Sequence, residues 1–453
     1  MSSSSHLPQS VIQTAESAVK PVLKRLMPFL LLMYVIAFLD RSNVGFAQSQ
    51  LEIDFGISSA AYAFGAGLFF IGYAVFEVPS NLIMHKVGAR WWMARIMVTW
   101  GLISGAMMFV NGTAAFYGLR FALGIAEAGF FPGVILYITY WMPKKYANRA
   151  RGLFYMGLPI ANTLGGPLSG ALLELDGVWG LTGYQWMFMV EGLLAVVVGF
   201  WALWYLTDRP ANATWLPQEQ REALTQVIAS EEMGKSEHGA LQALKSGRVW
   251  YFALIYFAIQ AAVYGLTFFL PKQVSAIVGK SVGFEVGLVT AVPWLTALVA
   301  VIIISRYADR TRRYKSLGVI LLGASAIGIA GSAATGVPQL ALGFLGLAAV
   351  GFVSVQPVFW ALPSEYLGGT AAAAGIGLIN AVGNLGGFLA PNLRAWAEST
   401  FHTPRAGLYA LAVLPLIGAL AFAGTAKLRS AKLEAGVAAV DKPEGVGAPT
   451  GAP

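Results

Sequence analysis

The sequence predicts an all-α integral membrane protein of twelve transmembrane helices in two six-helix bundles around a central cavity. Three observations lead there. Of 453 residues, 57% are hydrophobic and 11% charged, against about 25% charged in ordinary soluble domains. Apolar runs of about 20 residues, the length that crosses a bilayer, recur twelve times. One long polar segment, 208–248, divides them into six and six.

Spans 1 to 6 cover residues 26–48, 61–84, 91–112, 115–140, 151–174 and 185–207; spans 7 to 12 cover 249–271, 284–306, 315–336, 338–365, 370–393 and 404–426. An even number puts both termini on one side. Lys and Arg cluster on that side, before span 1, in "HKVGARWWMAR", "KKYANRAR", the central segment, "RYADRTRRYK" and the tail. Only Lys272, Lys280, Arg394 and Arg405 lie in the loops of the other side. The positive-inside rule therefore expects a multi-pass protein of the inner (plasma) membrane with both termini cytoplasmic.

Residues 1–25 read as a mobile N-terminal tail without the apolar core of a secretory signal. The expected bundles are 26–207 and 249–426, with a cytoplasmic loop at 208–248 and a C-terminal tail at 427–453. Within the loop, Pro217 followed by "QEQREALTQVIASEE" carries a helix-start signal.

Soluble chemistry finds no support. Cysteine is absent, so there is no disulfide framework and no thiolate chemistry. His6, His85, His238 and His402 lack the spacing of metal ligands. Glycine patterns such as "GIGLINAVG" sit inside apolar runs rather than after a strand, which argues against a dinucleotide or phosphate loop. The net charge of +8 follows the loops on one side, not a nucleic-acid surface. The expectation is a non-enzyme without cofactor, a monomer whose partners are the lipid bilayer, a small molecule and protons.

The halves read as a repeat. "LGIAEAGFFPG" in span 4 resembles "LGLAAVGFVSVQP" in span 10, pairing Gly124 with Gly346 and Gly129 with Gly351. "NTLGGPLSG" in span 5 matches "GNLGGFLAP" in span 11, pairing Gly165-Gly166 with Gly386-Gly387. Parallel repeats of this kind surround a binding site near the midplane.

Charged residues inside a span cost roughly 2.5–3.5 kcal/mol each on insertion scales, so they mark cavities and partners. Here they are Asp40 and Arg41 in span 1, Arg120 and Glu127 in span 4, and, as packing or gating partners, Glu77 and Glu191. At ~1.5 Å per residue, Asp40 lies ~12 Å and Arg120 ~8 Å from the same surface, so Arg41 and Arg120 can share one site. Glu127 follows Arg120 by two turns on the same face, with Gly124 between them expected to leave room for a ligand or water. The four charges cancel. An anion then binds best when a carboxylate has taken up a proton and left an arginine unpaired, the logic of proton–anion symport. Asp40 and Arg41, about 100° apart, cannot both face one ligand.

The second half offers neutral groups. Asn380 and Asn384 stand one turn apart in span 11, Tyr256, Gln260 and Tyr264 form a stripe in span 7, and Gln356 and Trp360 another in span 10. Interhelical hydrogen bonding and substrate recognition are both open to these sets. The tyrosines suit an aromatic acid or a hydroxylated dicarboxylate equally.

"FLDRSNVGFA", "EVPSNLIMHKVGARWWMARIMVTWG", "LRFALGIAEAGFFPGVILYITYW" and "GIGLINAVGNLGGFLAP" resemble, in this order, the major facilitator superfamily, and within it the anion:cation symporter family of permeases for tartrate, sugar acids, phthalate and 4-hydroxyphenylacetate. The superfamily's loop motif resembles Asn81 to Arg90, with His85 in its aspartate position, and Ser305 to Tyr314, which keeps Asp309 and Arg310. The resemblance implies Asp40 and Glu127 as protonatable carboxylates, Arg41 and Arg120 as anion and coupling residues, Asn384 as a substrate-facing residue, and His85, Arg90, Asp309 and Arg310 as gating positions. Related animal organic-anion transporters share the span 4 Arg–Glu pair.

The resulting expectation is a proton-coupled importer of a small organic anion, working by alternating access. Its substrate contacts are Arg41, Arg120, Gln260, Tyr264, Gln356, Trp360, Asn380 and Asn384. "NTLGGPLSGA" partly resembles the Gly-Pro motif of drug antiporters, which keeps proton-driven export as the rival, beside a non-transporting carboxylate sensor.

Overall fold

The computed structural model describes residues 7–233, 244–366 and 369–440. Helices account for nearly all of them, and no strand occurs among the described residues. Ten stretches are long and apolar enough to cross a bilayer. The fifth and eleventh spans complete the twelve as broken pairs: Lys144–Tyr155 with Gly157–Leu173, and Gly369–Asn384 with Gly386–Phe401.

Breaks recur where backbone irregularity can be buried inside protein, the condition for leaving a helix at membrane depth. Span 1 divides into Gln9–Ser42 and Val44–Phe55 at Asn43. Span 4 divides into Thr113–Glu127 and Phe130–Trp141, because Ala128 is extended and Gly129 has φ +84°, a left-handed conformation that favours glycine. Span 7 divides into Gly247–Thr267 and Leu270–Val278 at Phe268 and Phe269. The other spans are Ser59–Val87, Ala89–Ala106, Gly183–Tyr205, Phe284–Thr311, Tyr314–Ala334, Pro338–Tyr366 and Pro404–Val440.

The expected mobile tail is a correction. Its residues from Gln9 onward are the first turns of the span 1 helix, with Ala15, Ala18, Val19 and Val22 buried. They pack on the linker helix Gln218–Met233, whose Leu224, Val227 and Ile228 are buried in turn. The i, i+3, i+4, i+7 spacing of those four residues is an amphipathic stripe. That linker helix begins directly after Pro217, where the start signal stands.

The internal repeat is physical. Gly165 packs on Leu39 of span 1, and its counterpart Gly386 on Phe257 of span 7. Gly166 packs on Gly287 of span 8, and its counterpart Gly387 on Phe70 of span 2. Each glycine pair therefore faces inward with one residue and across to the other half with the next.

Contacts between the halves gather on the side opposite the termini. The outer parts of spans 5 and 11 pack on spans 8 and 2, whereas Lys144–Tyr155 at the termini side packs mainly on spans 1 and 4 of its own half. Lys272 donates to Glu52 at 2.5 Å, and Glu174 of the first half accepts from the backbone N–H of Phe284 at 2.9 Å. The latter places a carboxylate of one half on the helix N-terminus of the other, where the dipole favours it. The protein is closed at this outer face.

Replacing Gly287 with leucine wedges a side chain against the Gly166 backbone and should open that face. Because the chain has no native cysteine, spin labels at Ile53→Cys and Lys280→Cys report it by pulsed electron resonance. A longer label distance in Gly287→Leu is expected; an unchanged one contradicts the closure.

Candidate functional site

Between the halves lies a narrow cavity of about 20 Å³, room for about one water. Arg41 is the one charged residue on its wall among the described residues. Gln260, Tyr264, Gln356, Asn380 and Asn384 face it from the second half, and Tyr34, Tyr73, Tyr155 and Tyr256 complete a phenolic lining. Six of the sequence-derived contacts thus meet in one place.

Arg41 is 6% exposed and has a partner in each half. One amino group pairs with the Glu127 carboxylate. The other donates to the Tyr264 hydroxyl at 2.6 Å. Its guanidinium also stands over the rings of Phe38 and Phe69, at 4.8 and 5.0 Å, an attraction strengthened by the exclusion of water. Glu127 reaches it because span 4 breaks immediately after this residue.

Asp40 points elsewhere, as the 100° step between neighbours requires. It accepts from Trp100 Nε1 and Ser104 Oγ, both at 2.9 Å, inside the first half and behind the cavity wall. Asn43, at the span 1 break, donates to Glu191 at 2.9 Å, and Ser169 donates to the same carboxylate at 2.7 Å. Glu191 therefore fastens spans 1, 5 and 6 together.

Arg120 does not share the cavity with Arg41. It donates to the Ala66 carbonyl at 3.2 Å and stands over Phe69 at 5.1 Å, so the two arginines share a ring rather than a ligand space. Gly124 leaves no room for ligand or water, because the Phe69 carbonyl fills the place of a side chain; it is a packing glycine between spans 2 and 4. Trp360 lies behind the wall, edge-on to Tyr256 at 4.9 Å.

In the second half, Gln260 donates to Asn384 at 3.2 Å. Asn380 crosses to the first half and donates to Glu77 at 2.7 Å, a contact the spacing of neither residue announces. At the gating positions, His85 meets the Tyr140 hydroxyl at 3.1 Å within the first half, and the Arg90 N–H donates to Asp208, the first residue of the central loop, at 2.8 Å. Asp309 and Arg310 lie exposed at the end of span 8. The linings Tyr34, Tyr73 and Tyr155 were missed, since a tyrosine in an apolar run looks like core until its neighbours are known.

Residues 30–391 match the Major Facilitator Superfamily. The chain is 48% identical over 405 residues, 89% of this chain and 94% of the other, to the Inner membrane transport protein RhmT of Escherichia coli (strain K12). It is 44% identical over 400 residues, 87% and 88% of the chains, to a Putative tartrate transporter of Agrobacterium vitis. It is 41% identical over 408 residues, 89% and 93%, to a Quinolone resistance transporter of Acinetobacter baumannii. A bacterial homologue of the lysosomal transporter Spinster, solved inward-facing and occupied, superposes with a TM-score of 0.70 at 15% identity, covering 89% of this chain and 96% of that one.

Removing the indole donor should isolate the Asp40 anchor. Trp100→Phe leaves Asp40 Oδ2 buried without its donor, a loss of about 1–3 kcal/mol, read as a lower melting temperature in detergent. Wild-type stability would contradict this anchoring.

Proposed function

We propose that this chain, which belongs to the Major Facilitator Superfamily of membrane transporters, imports a small organic anion together with a proton by alternating access. The observation that carries the reading is the position of Arg41, the sole charged residue of the cavity lining among those described, whose counter-ion Glu127 approaches from behind the wall. A guanidinium stays protonated at any physiological pH. An incoming carboxylate must therefore compete with Glu127, and a proton on Glu127 removes the competitor.

The cycle begins outward-facing, with Glu127 or Asp40 taking a proton. The substrate carboxylate then binds Arg41 while its hydroxyl or ring edges meet Tyr264, Gln260 and Asn384. The halves, 26–207 and 249–426, rock to open toward the termini. Release of the anion and of the proton restores the Arg41–Glu127 pair. Glu77 and Asn380 bridge the halves, and their bond breaks as the termini side opens. The basic loops support an inner-membrane protein with cytoplasmic termini, and the relatives named for tartrate support a carboxylate cargo.

Export of a drug is the second reading, favoured by the relative named for quinolone resistance. Expression in a sensitive strain separates the two: raised resistance without carboxylate uptake supports export.

In vesicles offered labelled tartrate, gluconate, phthalate and 4-hydroxyphenylacetate, an inwardly directed proton gradient should drive accumulation of at least one. Glu127→Gln should lose gradient-driven accumulation and keep exchange of internal for external anion; intact accumulation removes Glu127 from coupling. Arg41→Lys keeps the charge but not the fork that spans Glu127 and Tyr264, and should reduce uptake at least about tenfold, one decade being about 1.4 kcal/mol. Wild-type uptake would contradict the anion site.

A further inference from the structure

We propose that Arg120 and Arg394 form a second anion site on the outer side of the cavity, which receives the substrate carboxylate before Arg41 does. This rests on the anion-import reading. The two guanidinia flank consecutive residues at the break in span 7. Arg120 of span 4 stands over the Phe268 ring at 5.9 Å, and Arg394, which lies buried in the helix Gly386–Phe401 of span 11 rather than in the loop expected for it, stands over the Phe269 ring at 4.2 Å.

Tyr62 of span 2 covers the place between them. Its hydroxyl donates toward the carbonyls of Val44 and Phe268, at 3.2 and 3.3 Å, and its ring is edge-on to Phe269 at 5.8 Å. Both guanidinia lie within electrostatic reach of that hydroxyl.

Of the carboxylates near this place, Glu398 holds one edge of Arg394 and Glu52 is paired with Lys272. Arg120 is 1% exposed, its Nε has no hydrogen-bond partner among the described residues, and Glu127, two turns along its own helix, is paired with Arg41. Arg394 is 7% exposed; its Nε donates to Glu398 at 2.7 Å, and its Nη1 has no hydrogen-bond partner among the described residues. Buried polar groups are normally paired, and a cation left short of partners is one that an anion can satisfy.

The cover crosses the boundary between halves. Tyr62 and Gly45 belong to the first half, Phe268 and Phe269 to the second, and Gly45 packs directly on the Phe268 backbone. Rocking the outer face open separates these residues and exposes Arg120 from one half and Arg394 from the other to the same cleft. Phe69 then links the two sites, since it carries both Arg120 and Arg41, at 5.1 and 5.0 Å. A positive mouth above the cavity concentrates anions and raises their rate of arrival, an effect that salt screens.

The test measures transport from each side, in right-side-out and inverted vesicles, with whichever of tartrate, gluconate, phthalate or 4-hydroxyphenylacetate the wild type accumulates fastest. Arg394→Gln should raise the outer KM about tenfold and flatten its salt dependence, with the KM from the termini side changing less than about twofold; Arg394→Lys should recover most of the loss. Glu398→Gln leaves Arg394 in place and frees it, so it should lower the outer KM, and it decides the matter if Arg394→Gln does not reach the membrane. An equal change from both sides, an unchanged outer KM in Arg394→Gln, or an outer KM in Glu398→Gln that fails to fall would overturn the site. Wild-type accumulation of none of the four acids would instead overturn the import reading on which it rests.

Discussion

The Arg41 guanidinium is held by one partner from each half, Glu127 of its own bundle and Tyr264 of the other, and much of the architecture serves that arrangement. Span 4 stops being helical immediately after Glu127, span 1 breaks two residues after Arg41, and span 7 breaks four residues after Tyr264. A buried ion pair is weak evidence for stability, because desolvation consumes most of its attraction. Removing one member is costly, about 3–5 kcal/mol. Such a pair is therefore better suited to a switch whose two settings are nearly equal in energy than to a rivet.

The proposed alternating access needs a second property, an interface that separates without tearing. The outer closure is made mainly by glycines that bring backbones together, Gly166 on Gly287 and Gly170 on Gly283, with a half-exposed Lys272–Glu52 pair at its rim. Close contact of small residues supplies dispersion but buries little side-chain surface, and rim ion pairs contribute little in water. By contrast, the anchors that hold each half as a body are buried and polar: Asp40 to Trp100 and Ser104, and Glu191 to Asn43 and Ser169. Firm bodies meeting at a light interface are the mechanical requirement for rocking.

The fold was legible because lipid imposes a strong rule: each crossing needs a long apolar run, and the pairing of glycines in spans 5 and 11 exposed the repeat. Two short-range signals were equally readable, Pro217 before the linker helix and the Ala15, Ala18, Val19, Val22 stripe, though the second was passed over because the segment is polar overall. In the site, helical spacing separated Asp40 from Arg41 correctly, since it depends only on geometry within one helix. It failed for Arg120 and Gly124. Depth along a span says nothing about which neighbour stands between two residues, and Phe69 stands between those arginines. The Glu77–Asn380 bridge joins residues 303 positions apart, a distance over which no local pattern carries information.

In the proposed cycle, coupling by displacement makes anion binding and proton binding one event: the carboxylate takes Arg41 only as Glu127 gives up its charge. The direct measurement is proton uptake from weakly buffered solution when the transported anion is added to the purified protein. Displacement predicts about one proton taken up per anion bound, with the apparent affinity falling as pH rises in the reciprocal manner linkage requires. Saturating anion binding with no proton taken up, at every pH tested, would contradict it.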